Sequence, residues 1–193
     1  MIHSANSDSL FSTPVVYTSQ NQINDQNFQD TCRRIVKEKG RYDFYCPCLT
    51  TVQTETQVLN LPGFEAAKTA AIVAVTALAQ TWQVSTDKLE IVDSWINLYD
   101  IHGYQDLHQH PDSLISGCMY VKSQGSNDLV FNAPWLFYQA IPPKFLHRNL
   151  SNCQAMYYAS LEGRCYAWPS HLLHRTLPAH SERISISFNA KYV

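Results

Sequence analysis

The stretch IVDSWINLYDIHGYQDLHQHPDSLISGCMYV, from Ile91 to Val121, decides how the chain is read. Its opening alternates, with Asp93, Trp95, Asn97 and Tyr99 on one side and Val92, Ile96 and Leu98 on the other. Period two over this length predicts a half-buried strand. A Gly-containing turn follows, then a short strand ending in His108-Gln109-His110, then a further strand over about 114–121. Two histidines two apart on a strand project to the same side of the sheet. One metal ion could then meet both imidazoles.

Working outward, the pattern predicts further strands near 128–132, 154–160, 164–168, 171–176 and 182–190, punctuated by Gly125 to Asp128, by Glu162-Gly163 and by Pro178. In the last of these Arg183, Ser185, Ser187 and Asn189 share one face, and Ile184, Ile186 and Phe188 share the other. The apolar face requires a dry partner. Two helices on the N-terminal side supply one: Asp25 to Lys39, stopped by Gly40, and about Phe64 to Trp82, whose alanines, with Phe64, Ile72, Val75, Leu78 and Trp82, suit tight packing on a sheet. Pro14 to Tyr17 can add an edge strand, and 41–60 reads as a loop or irregular strand. Eight short strands after two helices predict a mainly β, α+β fold, a closed or double-sheet structure buttressed by helices. The chain is expected to be one domain over 1–193, with supporting elements in 1–87 and the β core in 88–193. The irregular piece around 133–153, with Trp135, Pro142 and Pro143, is expected to be a lid or substrate loop.

Composition narrows the function. Of the 193 residues 45% are hydrophobic, enough for a real core, and the net charge of −2 comes without any basic run. Nucleic-acid binding by bulk electrostatics is therefore not expected. The start lacks the features of a signal peptide, and the most apolar stretch, Thr69 to Ala79, is too short to span a bilayer. The expectation is a soluble, cytoplasmic protein without membrane partners (host cytoplasm if phage-encoded). No stretch fixes an oligomeric state. Among the six cysteines only Cys46-Pro47-Cys48 is locally paired, which does not match zinc-ribbon spacing.

A third histidine, His174, lies on a predicted strand far beyond His110, and Arg183 follows it. Three imidazoles suit Fe, Zn, Cu or Ni, and a catalytic metal needs three protein ligands plus open positions. An arginine facing a barrel interior needs an anionic partner, either a protein carboxylate or a bound substrate acid.

With these residues in view, the chain resembles the Fe(II)/2-oxoglutarate-dependent oxygenases, and in particular their small members from phages and marine bacteria. The resemblance rests on Trp95-Ile96-Asn97, His108-Gln109-His110-Pro111, Ser116-Gly117-Cys118-Met119-Tyr120, Pro169 to His174, and Arg183 to Asn189, in that order. The gap from Pro169 to His174 is one residue longer than in the family pattern. The resemblance implies a double-stranded β-helix, a jelly-roll or cupin-like barrel. It implies Fe(II) on His108, His110 and His174, with 2-oxoglutarate and O2 in the open positions. Arg183 would pair with the far carboxylate of the oxoacid, and Tyr120 stands where related prolyl hydroxylases bond the same group. Ser116, Cys118, Asn97 and Ser185 are further candidate contacts for the co-substrate. The activity implied is hydroxylation of a peptidyl or small-molecule C–H bond with release of succinate and CO2.

The wider superfamily carries His-x-Asp/Glu where this chain has His108 and His110. Because His110-Pro111-Asp112 is itself a His-x-Asp, a register on His110 and Asp112 stands as an alternative; the small-family pattern favours His108 and His110. Two other functions compete: a three-histidine zinc hydratase or hydrolase, and a non-catalytic β-barrel binding module such as a phage structural protein.

Overall fold

The computed structural model describes residues 12–19, 23, 25–134, 144–150 and 152–193. Of the expected lid, residues 135–143 and 151, Trp135 among them, lie outside the described residues.

Alternation over 88–193 translates into eight strands: β4 (Leu89–Tyr99), β5 (Gln105–His108), β6 (Ile115–Lys122), β7 (Leu129–Asn132), β8 (Ala155–Tyr158), β9 (Arg164–Pro169), β10 (His174–Thr176) and β11 (Arg183–Tyr192). Three more precede them: β1 (Val16–Ser19), β2 (Arg41–Asp43) and β3 (Cys48–Thr50). They form two antiparallel sheets, one in the order β1-β9-β6-β11-β4-β3-β2 and one in the order β5-β10-β7-β8. From β4 to β11 the chain passes from one sheet to the other at every step except the β7–β8 hairpin, which is the jelly-roll form of a double-stranded β-helix. The segment 41–60, expected as loop or irregular strand, contributes the β2–β3 hairpin to the larger sheet. The edge strand expected at Pro14 to Tyr17 is β1, set against β9.

Helices α1 (Gln26–Lys39) and α2 (Glu65–Trp82) cover the outer face of the larger sheet. Asp25 starts α1 by accepting the Phe28 N–H at 3.1 Å, an N-cap that satisfies one otherwise unpaired donor. Phe28, Cys32, Ile35 and Val36 of α1 join Ile96, Leu98, Ile184, Ile186 and Phe188 in one core. The apolar face of β11 is thus dry, and the opposite face, with Arg183 and Ser185, looks between the sheets. In α2 the expected alanines pack on the sheet, and Ile72 alone departs to the exposed side. Ala67, Ala70, Ala71 and Ala74 are buried with Val75 and Leu78, whereas Ile72 is 47% exposed. Alanines at three- and four-residue spacing let the helix backbone approach the sheet closely, and Ile72 falls outside that stripe.

Strand β4 departs from simple alternation at one point. Asn189 pairs with Asp93 but Ala190 pairs with Ile91, so Val92 is the extra residue of a bulge. Beyond it the faces exchange, and Ile91 and Leu89 rather than Val92 pack on the helix-side core. Gly117 on β6 answers a close approach. A Cβ there would lie 2.2 Å from the Phe188 ring and 2.5 Å from the Tyr166 carbonyl oxygen. Among the described residues no helix is long and apolar enough to cross a membrane.

Candidate metal centre and adjoining pocket

Between the sheets lies a cavity of about 210 Å³. His108, His110 and His174 stand on its wall, and Arg183, Tyr120 and Ser185 also line it. His174 opens β10 and is the direct cross-strand partner of His108, the last residue of β5. His110 lies just past the strand end rather than on it, held by its backbone N–H donating to Ser170 O at 3.0 Å. The extended backbone keeps the two-residue alternation, so both side chains reach the same point. The three rings have centroids 4.2 to 5.2 Å apart, and one ligand atom from each lies within 4.8 Å of the others.

Each Nδ1 is engaged by an oxygen: His108 with Asp106 O at 2.7 Å, His174 with Leu172 O at 2.8 Å, and His110 with Asn189 Oδ1 at 2.8 Å. A carbonyl oxygen only accepts, so each Nδ1 carries the proton and each Nε2 presents a lone pair. Nε2 of His110 is buried and has no partner. A buried nitrogen without a partner is costly, and a shared cation satisfies all three. Burial also keeps these rings neutral. His110 is lowered to about 4 by desolvation and the neighbouring His108, and His174 falls well below the ordinary histidine range for the same reasons. His108 is lowered mainly by desolvation. Neutral imidazole is the form that binds metal.

The cluster is fixed from behind. Ser116 donates to Asn189 Oδ1 at 2.7 Å and exchanges a hydrogen bond with Ser170 at 2.8 Å. Ser116 was expected on the pocket wall; it stands behind it, as a support for Asn189. Trp95 stacks on His110 with centroids 5.9 Å apart, and Trp168 packs edge-on against His174 at 4.7 Å. Asp112 lies in an exposed turn outside the histidine cluster, so the alternative register on His110 and Asp112 does not form.

Arg183, 2% exposed, lies over the Tyr99 ring with its guanidinium carbon 4.5 Å from the centroid. Nη1 donates to Asp128 Oδ2 at 3.1 Å and Leu177 O at 3.1 Å, and Nη2 to Thr176 Oγ1 at 3.0 Å and Gly103 O at 3.5 Å. The protein carboxylate that a buried arginine calls for is therefore Asp128. Nε remains unpartnered and buried, as does the Tyr120 hydroxyl, although the Cys118 thiol lies beside it. Burial raises the Cys118 thiol to about 12 and holds Tyr120 well above the usual phenol range, so both stay protonated. Asn97 lines the cavity but is spent on the protein: Oδ1 accepts from Thr50 at 2.7 Å and Nδ2 donates to Ser187 at 3.1 Å.

Asp128 is the residue that sequence reasoning missed; it read only as part of a turn. The alternation of the last strand did place Asn189 on the face of Arg183, but not as the partner of His110.

A family model described as "Putative 2OG-Fe(II) oxygenase" matches residues 93–189. Among solved structures, a prolyl-4-hydroxylase from Pseudomonas putida is similar with a TM-score of 0.64 at 14% identity, covering 96% of each chain. The epimerase SnoN from nogalamycin biosynthesis has a TM-score of 0.61 at 12% identity, over 91% of this chain and 76% of that one. A viral collagen prolyl hydroxylase from Paramecium Bursaria Chlorella virus-1, solved as a 2-oxoglutarate complex, has a TM-score of 0.55 at 14% identity over 93% and 96%. At these identities the structures speak for the double-stranded β-helix alone. No curated protein matches in sequence. The family match spans half the chain and contains all three histidines and Arg183, which sets aside the zinc hydratase and binding-module readings. The chain belongs to the 2OG-Fe(II) oxygenase family.

Proposed function

We propose that this protein hydroxylates a C–H bond of a peptidyl or small-molecule substrate, with Fe(II) on His108, His110 and His174, 2-oxoglutarate as co-substrate and O2 as oxidant. The observation that carries this reading is the convergence of three neutral imidazoles, each with Nδ1 tied to an oxygen, on one point of the cavity that also contains Arg183. Bound iron and oxoacid supply the oxidation, in which 2-oxoglutarate leaves as succinate and CO2. The residues of the chain bind and orient. Asp106, Leu172 and Asn189 fix the tautomer and aim of the three rings. Arg183 Nε–H and the Tyr120 O–H, both buried and unpartnered, are donors for the far carboxylate of the oxoacid. Tyr99 beneath the guanidinium and the Asp128, Thr176 and Leu177 contacts hold Arg183 in place.

Substrate would enter beside the β2–β3 hairpin, whose Asp43 and Thr50 line the cavity and whose Phe44 and Tyr45 are 85% and 91% exposed. Asp43 shapes that hairpin by accepting the Tyr45 N–H at 2.9 Å. Similar folds named for prolyl hydroxylation and for an epimerisation in nogalamycin biosynthesis support a substrate range that includes peptides and small metabolites.

The test is thermal stability with Mn(II) and 2-oxoglutarate, together with succinate formation under added iron. The wild type gains stability from the combination, His174→Ala loses the gain, and Arg183→Ala retains only the metal part. Equal stabilisation of all three proteins would overturn the assignment.

A further inference from the structure

Arg183 is not a free cation waiting for an anion. All four terminal N–H groups are committed, one of them to a carboxylate that is itself buried; Asp128 is 4% exposed. Asp128 is also held by two hydroxyls, Ser126 Oγ at 3.1 Å and Ser160 Oγ at 3.0 Å, both donating to the same Oδ2 that Arg183 uses. Ser160 is fully buried, and its Oγ also lies 2.7 Å from Ser123 Oγ and 3.0 Å from Ser126 O. Of the N–H groups of the guanidinium only that on Nε, itself buried, is without a partner. The pair is therefore close to neutral before any ligand arrives, in a low-dielectric setting where an extra carboxylate meets attraction from Arg183 and repulsion from Asp128.

We propose that Asp128 is a selectivity residue: it positions Arg183 and offsets its charge, so that the pocket recognises the far carboxylate of its oxoacid chiefly through the Arg183 Nε–H and Tyr120 O–H donors and binds a dicarboxylate less tightly than an unpaired arginine would. The inference rests on the oxoacid assignment above. It predicts an unusual sign. Removing a charge that contacts the binding arginine strengthens binding of the acid. Asn in place of Asp128, with its carbonyl oxygen where Oδ2 stands, still accepts from Arg183 Nη1 and from the Ser126 and Ser160 hydroxyls, so geometry is kept and only the charge is removed. The guanidinium then lacks its counter-charge until the ligand carboxylate supplies one.

Binding of 2-oxoglutarate and of 2-oxopentanoate, which has the same chain length but no far carboxylate, is measured by calorimetry on Mn(II)-loaded wild type and Asp128→Asn. In the variant the dissociation constant for 2-oxoglutarate falls about tenfold, while that for 2-oxopentanoate and the affinity for Mn(II) stay within about twofold. The ratio between the two acids is the decisive readout, because a general loosening of the fold would move both in the same direction. An unchanged or smaller ratio overturns the inference. The variant is purified with 2-oxoglutarate present, since the acid is expected to rescue its stability. A variant that fails to fold even then overturns it too, by giving Asp128 a purely structural role. Wild type that binds 2-oxoglutarate and 2-oxopentanoate equally, with Arg183→Ala no different, would instead sink the oxoacid assignment itself.

Discussion

Nδ1 of His110 lies 2.8 Å from Asn189 Oδ1, which ties the one candidate ligand outside a strand to the long last strand of the larger sheet. His108 and His174 are held by backbone carbonyls, which no substitution removes; His110 alone depends on a side chain. Asn189→Ala is therefore expected to weaken Mn(II) binding about 10- to 100-fold, as loss of such a support does at other metal sites. Asn189→Asp keeps the acceptor and should retain most of the affinity. Titration followed by electron paramagnetic resonance of free Mn(II) distinguishes the two.

The histidines also set an acid dependence. Because the folded protein lowers His110 from 6.5 to about 4, the unfolded chain binds the proton first. Stability is then full above about pH 6.5 and is lost as pH falls from there toward 4. His108 and His174, shifted in the same direction, add to the loss. Metal-free protein should show falling denaturation midpoints across that window. Saturating Mn(II), by competing with the proton, should flatten the curve at its upper end.

Glu182 works in a lower range. It accepts from Arg33 of α1 at 2.7 Å and from Lys122 of β6 at 3.0 Å, and these partners pull its carboxyl down from 4.5 to about 2. A lowered carboxyl stabilises above its unfolded value and loses that contribution as pH drops through the folded one. With both partners partly solvated, Glu182→Gln should cost about 1 kcal/mol at pH 7. The gap between variant and wild type should narrow from about pH 4.5 and close near pH 2, read by urea denaturation at each pH.

Gly117→Ala should be the most damaging single methyl in the larger sheet. Phe188 is fully buried and cannot retreat from a Cβ placed 2.2 Å from its ring. The expected cost is about 1–3 kcal/mol from overpacking, or a melting point lower by roughly 2–12 °C in a chain of this size.

The sequence exposed most of the site because its chemistry sits on period-two strands. Alternation fixes which of Arg183 to Asn189 face inward, and a His-x-His pair needs no long-range knowledge to be seen. What escaped were the features decided across strands. The bulge at Val92 exists only in the pairing of β4 with β11, so the local pattern assigned the wrong face beyond it. Ile72 is as apolar as the residues that do pack beside the alanines, and only the approach of α2 to the sheet turns it outward. Asp128 follows a turn and carries the signature of one; its role depends on an arginine 55 positions away. Ser116 shares a strand face with Cys118 and Tyr120, yet the bond to Asn189 draws it into the wall rather than the cavity.

The larger sheet has one further implication. The family match begins at residue 93, but β1 closes one flank of the eight-stranded barrel and β3 closes the other, and the Ile96 N–H is received by the Thr51 hydroxyl at 3.1 Å. A fragment trimmed to the matched segment would carry every candidate ligand and still present raw, unpaired margins at β9 and β4, the kind of surface that seeds self-association. The half that holds the chemistry is thus not a part that can be lifted out, and excising it should yield insoluble material rather than a minimal enzyme.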